Sequence, residues 1–188
     1  MFSFPVSQNM SPFFATLLTG LLLILIGAPL LVSNSLVVST LKAVPRSPAA
    51  TALFWGAGAL WFLYNVWHLS TADVVIFESP KPLFAFFAVV AVAAFYLVPD
   101  FLAVRGLCVL TLLAAWEILM ATFGEYGWLL VAKAVVYVAV ILAIYLGCVP
   151  YRARDFLQWL FNRPQRARAL GAMMAACGLL IVGTAFLI

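Results

Sequence analysis

Charge is scarce in this chain of 188 residues: Asp, Glu, Lys and Arg together make up 9% of it, against about 25% in soluble domains. Too few polar side chains are present to cover a water-facing surface, which excludes an ordinary soluble globular domain. Histidine occurs once, as His68, so the chain alone supplies no bis-histidine haem ligation. Cysteine is limited to Cys108, Cys148 and Cys177, each within or at the end of an apolar stretch. No CxxC or Cys/His spacing is present, so neither a disulfide framework nor a metal site is expected. The sequence also lacks GxSxG, HExxH, a P-loop and GxGxxG. Those motifs would position a nucleophile, a zinc ion or a nucleotide, so no catalytic residue and no cofactor is expected.

Hydrocarbon is what the sequence has in abundance, with 67% hydrophobic residues. A helix needs about 20 apolar residues to cross a bilayer. Six stretches approach that length, at 13–32, 49–69, 82–98, 101–122, 128–149 and 169–188. Alternating polarity, the mark of a membrane barrel, is missing from runs such as 17-LLTGLLLILIGAPLL-31. Backbone polar groups in lipid must be paired within their own segment, which leaves helices. The expected class is therefore all-α. One polytopic integral membrane helix bundle spans 1–188, with about six transmembrane helices and two short amphipathic interfacial segments. Residues 1–12 contain no Lys or Arg, so the first stretch reads as a retained helix and not as a signal peptide. Asp100 is placed to cap the fourth helix.

The net charge of +4 does not point to nucleic acid, because the basic residues lie between or beside apolar stretches. With six spans, Lys42, Arg46, Arg105, Arg152, Arg154, Arg163, Arg166 and Arg168 share one side, eight of the ten basic residues. Lys81 and Lys133 fall on the other, with Asp73, Glu78 and Glu125. The positive-inside rule then predicts a multi-pass plasma (inner) membrane protein with both termini outside and cytoplasmic basic connections. Those eight residues are read as topology signals and as contacts for anionic lipid headgroups. Arg105, one turn inside the fourth span, is expected to snorkel.

Two basic connections look alike, 33–48 and 151–168. In the second, Ala153, Phe156, Leu157, Leu160 and Phe161 fall on one helical face, the pattern of a helix lying in the interface. The likeness suggests an internal repeat of 13–69 and 128–188.

Polar groups inside spans are the main pointers to function. Glu117 and Lys133 each lie eight positions from Glu125, roughly 12 Å of helix. In an antiparallel hairpin they reach similar depth, and an intramembrane ion pair is expected, either fixing helix register or serving as a transport site. A second set, His68, Asp73, Glu78 and Glu125, would form a polar cluster at the outer face. Asn65 is expected to hydrogen-bond between helices. Ala52 and Gly56, then Ala139, Ala143 and Gly147, then Gly171, Ala175 and Gly178 form small-residue stripes that permit close helix packing, within the chain or against a partner.

Three functions are compatible with this pattern. The first is a non-catalytic subunit, scaffold or assembly factor, with partners among membrane proteins or copies of itself. The second is a small transporter or channel built on Glu117 and Lys133. The third is a membrane enzyme acting on lipid through the outer-face cluster.

Overall fold

The computed structural model describes residues 10–69 and 79–187. Among them the secondary structure is entirely helical. Helices α1 (Pro12–Val32), α2 (Ser35–Ala43), α3 (Pro48–Trp67) and α4 (Lys81–Leu97) are followed by α5 (Leu102–Ala121), α6 (Leu129–Cys148), α7 (Tyr151–Phe161) and α8 (Pro164–Ala185). A 3-10 turn, Val44–Arg46, joins α2 to α3. Five helices, α1, α3, α5, α6 and α8, are long and apolar enough to cross a membrane, and the chain is a multi-pass membrane protein. Six spans were expected. The third, α4, has 17 residues, about 26 Å at 1.5 Å per residue and short of the ~30 Å hydrocarbon core.

Local signals account for the helix starts. Pro12, Pro48 and Pro164 stand in first turns, where a missing N–H costs nothing and φ is already set. The Ser11 Oγ accepts from Phe14 N at 3.2 Å and the Ser47 Oγ from Ala50 N at 3.3 Å, satisfying orphan donors. Pro29 lies inside α1 without ending it. Asp100 does not cap α5: the cap is Phe101, held in the left-handed region at φ 57° with no side-chain bond. The last helix begins at Pro164, so Arg166 and Arg168 lie on its first turns and not in a separate connection.

The bundle is built on close backbone contact. The most extensive pairing joins α1 to α8, antiparallel. A Cβ added at Gly20 would lie 2.7 Å from the Gly178 carbonyl oxygen, and one at Gly27 would lie 2.9 Å from that of Gly171. On each helix the two glycines stand seven residues apart, which returns them to one face. A third close approach joins α3 to α5, where a Cβ on Gly106 would run into the Trp55 backbone. Small apolar clusters fill the rest: Ala15, Ala115, Ile118 and Val136 between α1, α5 and α6, and Leu30, Leu160 and Ala167 between α1, α7 and α8. Large side chains point outward instead, Leu25 being 69% exposed, as lipid allows and water does not.

The two amphipathic connections are helical, as α2 and α7, and touch each other. Element order thus repeats, α1-α2-α3 and α6-α7-α8. A two-fold repeat would pair α6 with α3 as α1 pairs with α8, and no comparable α3–α6 contact exists among the described residues.

Candidate functional site

Glu117 lies on the buried face of α5, 2% exposed, beside the cluster of Ala115 and Ile118. Neither carboxylate oxygen has a hydrogen-bond partner among the described residues. Lys133 does not supply one. Its Nζ donates to the Glu125 carbonyl oxygen at 2.6 Å and sits 6.0 Å from the centre of the Tyr126 ring. The expected Glu117–Lys133 pair is not made: the ion pair found within 4.0 Å among the described residues is Arg154–Asp155. The reason is the reach of lysine. Lys133 stands in the second turn of α6, and its four-carbon stem can carry the ammonium back to a carbonyl of the α5–α6 turn, nearer to water. The buried threonine hydroxyls are occupied along their own helices. Thr16 and Thr19 donate to Pro12 O and Ala15 O, and Thr122 donates to Ile118 O.

The outer-face cluster is only partly visible. Asp73 and Glu78 lie outside the described residues. His68 caps α3, with its Nδ1 2.8 Å from Tyr64 O and its ring 4.2 Å from that of Tyr64. Glu125 is exposed in the α5–α6 turn. Among the described residues no three His, Cys, Asp or Glu side chains are grouped to hold a metal ion.

The basic residues other than Lys81 and Lys133 gather at the opposite end. Lys42 lies over Phe161, joining α2 to α7, at 6.0 Å. Arg46 lies over Phe101 at the start of α5, at 5.6 Å. Arg166 lies 4.5 Å from the Trp159 ring and donates to the Trp159 carbonyl oxygen at 3.1 Å. Arg154 donates through Nε and Nη2 to Asp155, at 3.1 and 2.9 Å. Arg152 stacks 5.7 Å from its neighbour Tyr151. Arg105 is half-buried on the first turn of α5, Arg163 caps α8, and Arg168 is exposed.

Two cavities accompany these groups, and neither was legible in the sequence. One, about 750 Å³ and open on one side, is lined by α2, the 3-10 turn, α5, α6 and α7 at the basic end. The other, about 610 Å³, lies between α3, α4 and α5. Both are lined almost wholly by apolar side chains. Asn65 lines the second and is buried, but its Oδ1 has no partner among the described residues, so the interhelical bond expected of it is not made there. Trp55 links the helices instead, its Nε1 donating to Ala91 O at 3.0 Å. Comparison with protein-family models, with characterised proteins and with solved structures gives no match for this chain.

Proposed function

We propose that this protein is a non-catalytic subunit, scaffold or assembly factor of a membrane complex. One observation carries the reading. Glycine weakens a helix, and in lipid its use is to let two backbones approach. Gly20, Gly27, Gly58, Gly106, Gly171 and Gly178 all face a neighbouring helix of this chain. Gly56 does not: a Cβ there would meet nothing within 4 Å. With exposed Ala52 one turn before it, it leaves on α3 a small-residue stripe shaped for a helix from another chain. Purification in mild detergent tests this. The expected result is a complex larger than one chain, from which Gly56→Leu releases its partner while the bundle stays folded. A wild-type chain that runs alone would sink the reading.

In this proposal α4 is a short sixth crossing, accommodated by local thinning of the bilayer at modest cost. Both termini then lie outside, and the basic end faces the cytoplasm of a plasma membrane. Labelling of single cysteines at positions 46 and 166 should find both on one side; opposite sides would exclude the layout.

A second reading, a small transporter, is favoured by Glu117 alone. A buried carboxyl without a partner is costly, and such groups in membranes mark ion or proton paths. Proteoliposome flux that Glu117→Gln abolishes would support it. Flux unchanged by that substitution, or absent from the wild type, would remove it. The lipid-enzyme reading has no comparable support, since His68 is engaged with Tyr64.

A further inference from the structure

We propose that the cavity between α5, α6 and α7 holds one acyl chain of an anionic phospholipid, with the lipid phosphate at Arg152. The wall is built by Val104 and Cys108 of α5, Leu146 of α6 and Phe156 of α7. At about 750 Å³ the space falls within the ~300–1,000 Å³ typical of small-molecule sites. Its apolar walls offer water few partners, and left unfilled they forfeit dispersion contacts. Hydrocarbon is the occupant that satisfies both conditions, and the bilayer supplies it.

Charge at the cavity edge selects the kind of lipid. Arg152 and Asp155 line it together, but they are not equivalent. Both Nε and Nη2 of Arg154 bond the same Asp155 oxygen, so that carboxylate is already matched. Arg152 makes no ion pair among the described residues; its guanidinium rests on the ring of Tyr151. Lys42, Arg46 and Arg166 are held on aromatic faces at the same end without lining the cavity, so the surroundings of Arg152 carry net positive charge. A guanidinium is a fork of donors that fits phosphate oxygens. An apolar slot opening onto a cationic rim is complementary to a phospholipid with net negative charge. A zwitterionic headgroup would bring a cation to the same rim, and a phosphate ion without a chain would leave the slot empty.

Native mass spectrometry of the full chain in mild detergent tests the proposal, using phosphatidylglycerol and phosphatidylcholine with the same acyl chains. The expected result is one retained phosphatidylglycerol, preferred over phosphatidylcholine. Arg152→Gln should cut that preference about tenfold, the scale of one hydrogen bond to a charged group. Lys81→Gln, on α4 and away from the cavity, should leave it unchanged. Leu146→Trp should fill the slot and abolish retention while the protein stays monodisperse and helical; Leu107→Trp replaces it if that variant misfolds. Equal retention of both lipids overturns the proposal. So does a preference untouched by Arg152→Gln, retention surviving in the filled-slot variant, or displacement of the lipid by glycerol phosphate at comparable concentration.

Discussion

The α1–α8 and α3–α4 pairs are both antiparallel neighbours in one chain, yet they meet by different means. On α1 and α8, Gly20 faces Gly178 and Gly27 faces Gly171, so the two backbones touch. Between α3 and α4 the contact is made by side chains. Phe62 meets Phe87 with ring centres 5.0 Å apart, Trp67 meets Phe84 at 5.1 Å, and Trp55 reaches across to Ala91 O. No residue of α4 is buried, and a cavity lies alongside. In water both kinds of contact would gain from the hydrophobic effect. In lipid, a side chain leaving hydrocarbon for another side chain gains little. Association then depends on close packing and on the hydrogen bonds it permits. The difference teaches that aromatic richness does not hold helices together here, whereas paired glycines do.

That contrast can be broken by substitution, and the largest effect is expected on the glycine side. Gly178→Leu drives a branched side chain into the Gly20 carbonyl and Ile24, which lie 2.7 Å from an added Cβ. A loss of about 3 kcal/mol is expected, at the upper end of overpacking costs, read from unfolding in mixed detergent micelles. Gly106→Ala should follow with about 2 kcal/mol, because its methyl meets Trp55 backbone rather than a movable side-chain tip. On the aromatic side, Trp55→Phe should cost only about 0.6 kcal/mol, the mean for interhelical bonds in bilayers, by the same assay. The smallest effect is expected at Gly56→Leu, within about 0.5 kcal/mol of wild type for unfolding, with loss of a copurifying partner as its only large consequence. If Trp55→Phe proved as damaging as Gly178→Leu, the contrast between the two pairs would be false.

Much of this was legible before any coordinates. The five long spans follow from runs of apolar residues, and α7 from the spacing of Phe156, Leu157 and Leu160. The Gly171 and Gly178 stripe was visible as a packing face, though its partners Gly20 and Gly27 were not picked out. Lys133 shows where such reading fails. The pairing with Glu117 came from counting residues outward from the turn, but a long flexible side chain answers to every acceptor within reach. Here the nearest good one is the carbonyl of Glu125. Asp100 failed for a related reason: Phe101 takes the left-handed turn, and Asp100 is left in the turn before the helix.

By itself the sequence determined that this chain is helical, lives in lipid and crosses it several times. Those properties are sums over windows of about 20 neighbouring residues, and neighbours in sequence are always known. Only the tertiary structure decided which glycines meet, that Gly56 meets none, that Glu117 is buried without Lys133, and that an apolar cavity opens beside Arg152. Each depends on residues distant along the chain, brought within a few ångströms by short-range packing forces that no local average contains.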